Sequence, residues 1–235
     1  MDVSKIKKPL VLSVLFFLPV FFLLLLYPSK HNYETLDVVQ TNIPELYDFK
    51  TLEGNSIELE DHLSVVGFFG TNPMDDATFA LNLKELIYDK FFGFKRFQVL
   101  ALVPHSAKHQ VLELNKELNA FAPLQYWKFA FGTDQAIREA YTNFKITRPL
   151  SLNLSSNQVF VVDRERHQRG RLDDRIKSEI KSNAAVYPMT SYDVLEISDL
   201  KNKMSDDIRI LFTEYRQKRK GNFSSTARRA NDLKQ

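Results

Sequence analysis

Residues 64–103 read SVVGFFGTNPMDDATFALNLKELIYDKFFGFKRFQVLALV, and this stretch decides the fold class. It opens on a short unbroken apolar run, Ser64–Phe69, and closes on another, Phe97–Val103. Runs of that length without alternation suit strands buried on both faces. Between them Asp75 and Asp76 can cap a helix whose stripe is Phe79, Leu83, Leu86 and Ile87, at steps of three or four. Strand, helix and strand in that order predict two parallel strands joined by a covering helix.

Downstream the pattern repeats. Ser106 can cap a second helix carrying Val111, Leu114 and Leu118, and Tyr126–Phe131 reads as a third strand. Asp134 opens a third helix with Ile137, Tyr141 and Phe144. Val159–Asp163 is a further apolar strand, ended by a charged turn, Arg164 to Gly170. The order β-α-β-α-β-α-β predicts an α/β fold with a parallel-containing sheet. Upstream, Asp48–Leu59 alternates around Gly54-Asn55, a hairpin signal. Residues 28–45 read as a tether, so the globular domain is placed at 46–175. Residues 176–192 lack a clear period and read as an inserted loop. A long amphipathic helix follows over 193–220, with Val194, Ile197, Leu200, Met204, Ile208, Leu211 and Tyr215 on one stripe. The basic tail 221–235 reads as disordered.

Pro9–Tyr27, PLVLSVLFFLPVFFLLLLY, is free of charge. At ~1.5 Å per residue it spans about 28 Å, close to the ~30 Å hydrocarbon core of a bilayer. The run is longer than the apolar region of a secretory signal, and Tyr27-Pro28-Ser29-Lys30 offers no small-x-small cleavage site. The expectation is an uncleaved anchor at 9–27. Lys5, Lys7 and Lys8 hold residues 1–8 in the cytoplasm by the positive-inside rule, and the rest of the chain is exported.

The net charge of +3 hides an uneven spread. Residues 1–30 carry +3 and residues 216–235 carry +6, which leaves −6 for residues 31–215. No basic stripe with interleaved aromatics marks the middle of the chain, which argues against nucleic-acid binding. The chain holds no cysteine. Disulfides, thiol–disulfide exchange, thiolate metal sites, C-x-x-C-H haem attachment and an acylated-cysteine anchor are all excluded. The few glycines are scattered, so no phosphate loop is present.

The hairpin pattern around Gly54, the strand Val65–Phe69 running into Gly70, FQVLALV, the helix start at Thr133-Asp134-x-Ala136-Ile137 and the VFVVD strand with its Arg-rich turn resemble the Sco/SenC family. The resemblance covers roughly residues 46–174 and implies a membrane-anchored, thioredoxin-like fold. The chemistry of that family rests on a C-x-x-x-C pair after the first core strand and on a histidine before the VFVVD-type strand. Here the loop reads Thr71-Asn72-Pro73-Met74-Asp75-Asp76-Ala77-Thr78, and Leu154-Ser155-Ser156 stands where the histidine falls, Ser155 being the nearest match. No catalytic, cofactor or metal residue carries over.

Substitute ligands are Met74, Asp75, Asp76, His105 and His109, since the loops after Phe69 and Val103 share one sheet edge in such a fold. The plainer reading has an aspartate capping a helix, Met74 filling the underside of the loop, and both histidines in solvent. Ser155-Ser156 lacks a histidine–carboxylate partner that the sequence can nominate. Phe91-Phe92-Gly93-Phe94 reads as a helix end packing into the core, and Arg164–Arg171 as a solvated turn able to meet an acidic partner or lipid headgroups. The sequence reading is therefore a non-catalytic, Sco-like inner-membrane protein, not an enzyme and without a cofactor. It acts by binding a protein partner in assembly of a respiratory, cytochrome oxidase-type complex. A copper metallochaperone with non-cysteine ligands and a structural envelope protein are the alternatives.

Overall fold

The computed structural model describes residues 3–26, 35–120 and 123–219, with side chains of the first helix over 11–25. The chain forms two separate units, Met1–Glu34 and Thr35–Gln235. The first is a helix, α1 (Val3–Leu26), whose described side chains are all exposed, leucines and phenylalanines included. Among the described residues no helix is long and apolar enough to cross a membrane. The uncharged run Pro9–Tyr27 extends beyond residues 11–25 at both ends.

The second unit is built on β2 (Leu63–Phe69), all seven residues of which are buried. Its neighbours explain why. The parallel β3 (Phe97–Pro104) lies on one side, and the antiparallel β5 (Ser155–Val162) on the other. β4 (Trp127–Gly132) extends the sheet in parallel beyond β3. Beyond β5 come β6 (Gln168–Gly170) and β1 (Asp37–Gln40), both antiparallel, and β7 (Tyr192–Asp193) also pairs with β5. Two parallel strands flanked by an antiparallel pair, in the order β3-β2-β5-β6, give the thioredoxin-like core that the resemblance implies.

Alternation along the strands sorts two cores. Val65, Phe69, Val99, Ala101 and Val161 share one cluster with Phe79, Leu83 and Ile87, with Val111 and Leu114 of α4 (Lys108–Leu118), and with the C-terminal stripe. Val66, Phe68, Leu100, Leu102 and Phe160 share the other with Ile137 and Tyr141 of α5 (Asp134–Thr142) and with Ile43, Phe49 and Leu59. The helix after β2 is continuous but not uniform. α2 (Ala77–Leu83) passes through a π-helical turn (Lys84–Tyr88) into α3 (Asp89–Phe91).

Several expectations change in detail. Asp76 stands at the N-cap of α2 but makes no side-chain capping bond. Ser106 caps nothing, because a 3₁₀ turn, His105–Ala107, precedes α4. The helix start at Thr133 does form: its hydroxyl accepts the Ala136 N–H at 3.1 Å. The hairpin at 48–59 is a tight turn with one bridge, Lys50 to Ser56, and Lys50 also bridges Phe131 at the edge of β4. Within the expected tether, Asp37–Gln40 is an edge strand. The turn Arg164–Gly170 ends in β6, and Arg169 is buried rather than solvated. The inserted loop carries a short helix, α6 (Lys177–Lys181), and the bridge Arg171 to Met189.

The C-terminal helix packs on its own domain. It enters through a π-helical turn (Asp199–Met204) and continues as α7 (Ser205–Arg219). Leu200, Met204, Ile208 and Leu211 are fully buried in the main core, whereas Ile197 is exposed. Phe91 is buried but Phe92 and Phe94 are exposed, so the aromatic cluster is only partly core. The expected disordered tail, 221–235, lies outside the described residues.

Candidate functional site

The sheet edge where β2 and β3 end brings together the loop 70–76, the 3₁₀ turn before α4 and the segment 151–155 leading into β5. Gly70 begins the loop with φ +66°, and a Cβ there would sit 2.5 Å from the Asn153 carbonyl oxygen. Only glycine tolerates both conditions. Thr71 donates its N–H to the same carbonyl at 2.8 Å. The facing segment folds tightly on itself. Ser151 Oγ lies 2.6 Å from the Ser155 carbonyl and within hydrogen-bond reach of Asn153 Oδ1, the two acceptors sharing its one proton, and the Ser155 hydroxyl lies 2.9 Å from Asn153 Oδ1. Leu154 takes φ +65°, a region costly for a branched side chain, and is held there by burial and by its N–H bond to Ser151.

Asp76 closes the site. Burial pushes its carboxyl above the ordinary carboxylate range; a hydrogen bond from Ser155 opposes this, and the neighbouring Asp75 adds to it. Loop and segment thus meet through Asp76 and Ser155, the residues at the ends of the expected site. Met74 donates its N–H to Gln110 Oε1 at 3.3 Å and packs against the main core. The loop therefore does touch the first turn of α4, as the shared-edge argument requires. The histidines take other directions. His105 is exposed, and His109, also exposed, lies 3.8 Å from Glu113 on its own helix. Among the described residues no group of three or more His, Asp or Glu side chains is placed to hold a metal ion.

Chemically the edge offers hydroxyls, an amide and one shielded carboxylate. A serine attacks only when a base takes its proton. The hydrogen-bond partners of Ser155 are Ser151, Asn153 and Asp76, and among the described residues the imidazole rings of His62 and His167 bond Glu60 and Asn42 instead.

A second polar region, missed from the sequence, lies along β6. Arg169 reaches Asp163 at 3.0 Å, Glu214 of α7 at 2.9 Å and the Leu36 carbonyl at 2.7 Å. Arg171 forks onto both oxygens of Asp207 at 3.1 and 2.7 Å and also pairs with Asp174, which Lys203 shares. Buried Tyr192 donates its hydroxyl to Asp207 at 2.7 Å. Burial pushes the Glu214 and Asp207 carboxyls up, further than their arginines pull them down. In Arg169 and Arg171 the balance is reversed: burial acts downward but the carboxylates outweigh it, and both are held above the ordinary arginine value. The signal available in the sequence was Asp207 and Glu214, acidic residues set on the same helical face as Leu200, Met204 and Leu211.

No family model matches the sequence, and no curated protein matches it. Among solved structures, the chain is similar to BsSco, described as a member of the Sco family of cytochrome c oxidase assembly proteins. The identity is 14%, over 73% of this chain and 91% of that one, with a TM-score of 0.44. Yeast Sco1 aligns at 14% identity over 69% of this chain and 95% of its own, with a TM-score of 0.43. The thioredoxin domain of a thiol-disulfide oxidoreductase from Bacteroides vulgatus aligns at 12% over 66% of this chain and 100% of its own, with a TM-score of 0.39. The solved structures to which the chain is similar thus include Sco-family and thioredoxin-like proteins, and the chain itself holds no cysteine.

Proposed function

We propose that this chain is a membrane-anchored, non-catalytic Sco-like protein that acts by binding a protein partner during assembly of a respiratory, oxidase-type complex. The observation that carries the reading is the edge itself. In the loop where the family pattern has thiols, and at Ser155, nearest to its histidine, the polar groups satisfy one another: Asp76 with Ser155, Ser151 with Ser155, and the Thr71 backbone N–H with the Asn153 carbonyl. Disulfide exchange needs a thiolate, and no hydroxyl here replaces one. Tight Cu(I) binding favours thiolate or clustered thioether ligands, and Met74 is the single thioether of the loop 71–78. The respiratory context rests on the sequence pattern shared with the Sco/SenC family. The anchor at 9–27, with the domain on the periplasmic side of an inner membrane, rests on the uncharged run and the lysines before it.

The test is complementation. In a strain lacking the protein, Met74→Ala/His105→Ala/His109→Ala should restore assembled oxidase to the wild-type level, and Met74→Leu/His105→Ala/His109→Ala, which keeps the apolar volume packed against the core, should do the same. A stoichiometric copper ion that survives dialysis in the parent and is lost in the triple variant would sink the non-catalytic reading and favour a metallochaperone. Protease added to spheroplasts should digest the domain without lysis, and protection until lysis would refute the export.

A further inference from the structure

The end of the sheet opposite the loop 70–76 holds a cleft of about 830 Å³. Its cations come from separate parts of the chain. Lys95 and Arg96 stand just before β3, Arg164 and Arg166 lie in the turn after β5, and Arg216, Lys218 and Arg219 close α7. Against these seven stand three carboxylates, Glu60, Asp61 and Glu165. The concentration runs against the domain as a whole, since residues 35–219 carry 24 basic and 26 acidic side chains. Cations at the last turn of a helix suit its negative end. That accounts for the α7 residues and leaves the four cations from the other two segments unexplained.

Pairing does not neutralise the cleft. Asp61 serves two guanidiniums at once, Arg96 at 2.8 Å and Arg164 at 2.5 Å. Lys218 takes Glu165 at 3.1 Å. Lys95, Arg216 and Arg219 have no ionic partner among the described residues. The wall is aromatic: the Phe94 and Phe212 rings stack with centroids 4.0 Å apart and planes 21° apart, and Arg164 lies 5.4 Å over the Tyr215 ring. Phe94 nevertheless remains 43% exposed, an apolar face left open beside the cations.

From this we infer that the cleft is a binding site for an organic phosphate, a mono- or diester with an apolar body. Arg96 and Arg164 share Asp61 and keep further N–H groups for phosphate oxygens, and Lys95 and Arg216 add charge that no described side chain pairs with. The apolar body covers Phe94 and Phe212. Both an anionic phospholipid headgroup and a soluble phosphate ester have this chemistry.

The domain from residue 35 onward is suited to the test, because both buried cores lie wholly within it. Its binding is measured to vesicles of phosphatidylglycerol in phosphatidylcholine, to phosphatidylcholine alone, and to ATP. Saturable binding to the first or the last is expected, weakened at least tenfold by Arg96→Glu/Arg216→Glu. Lys177→Glu/Lys181→Glu, an equal charge change on α6, should leave it unchanged. Vesicle binding without ATP binding identifies a lipid ligand, and ATP binding a soluble ester. Should the first variant melt early, Arg216→Glu/Arg219→Glu at the exposed end of α7 replaces it. Absence of binding to both probes, or equal weakening by the α6 control, would overturn the site.

Discussion

At the edge where β2 and β3 finish, Thr71, Ser151, Asn153 and Ser155 close on one another through neutral hydrogen bonds, whereas along β6 Arg169 and Arg171 are enclosed by four carboxylates. The hydroxyls of the first region are local, since its serines and Asn153 lie within five residues of one another, and a single backbone bond from Thr71 ties them to the facing loop. The second joins β1, β6, the inserted segment and α7, which are far apart in sequence. Neutral bonds contribute about 0.5–1.5 kcal/mol each, and removing one member of a buried ionic cluster costs several times that. Chemistry can therefore change at the edge with small loss, while the β6 side holds the architecture to one arrangement.

The largest effect tests the packing on which that arrangement depends. Leu200→Asp or Ile208→Asp would place an unpaired charge in the main core, where both side chains are fully buried. Loss exceeding about 4 kcal/mol, enough to unfold the domain, is expected. A circular dichroism melt that moves for neither variant would show that the helix contributes nothing to the fold. Next comes Arg169→Met, which leaves the buried carboxylates of Asp163 and Glu214 without their guanidinium. It should cost about 3–5 kcal/mol in urea unfolding. Adding Asp163→Leu and Glu214→Leu should recover most of that loss, since the cost lies in the uncompensated charges. A triple variant as unstable as the single one would mean that packing, not charge, sets the value of the cluster.

What the sequence revealed divides along the same line. The strands SVVGFF and FQVLALV were legible because each position is buried, and even Gln98 fits, its amide donating to Ser64 Oγ at 2.8 Å and to the Glu58 carbonyl at 2.7 Å. The stripe of the C-terminal helix was legible because apolar residues recur at each turn. DVVQ and QRG were not, because β1 and β6 are short, polar and pair across more than 125 residues. No local pattern announces such a pair. At the edge, the family pattern showed which loops should meet but not how they are satisfied. The contact of Asp76 with Ser155 depends on the left-handed turns at Gly70 and Leu154.

Gly70→Ala probes that turn directly. The added methyl meets the Asn153 carbonyl in a backbone region that alanine disfavours, so a loss of about 1–3 kcal/mol is expected. The loss should lie below that of Arg169→Met. A larger one, measured in the same urea series, would reverse the comparison and make the edge the more demanding half.

The smallest effect is the most informative about the edge, and it is a pH dependence. Burial raises the Asp76 carboxyl in the folded state above its value in the unfolded chain, which lies near 3.9. A carboxyl raised on folding leaves the native state binding more protons, so its contribution is fully present below the unfolded pKa. It is lost as pH climbs through the raised folded value. Asp76→Asn carries no titrating group and escapes that loss. The two proteins should thus melt together near pH 3.5, and the variant should melt progressively higher than the parent as pH rises to 7. Glu214 and Asp207 shift in the same direction, but they are present in both proteins and cancel in the difference. A variant that melts lower at pH 7 would mean that the hydrogen bond from Ser155 outweighs burial. Asp76 would then be a carboxylate the edge is built to keep charged, and a half-buried anion beside Ser155 would reopen the case for a bound cation there.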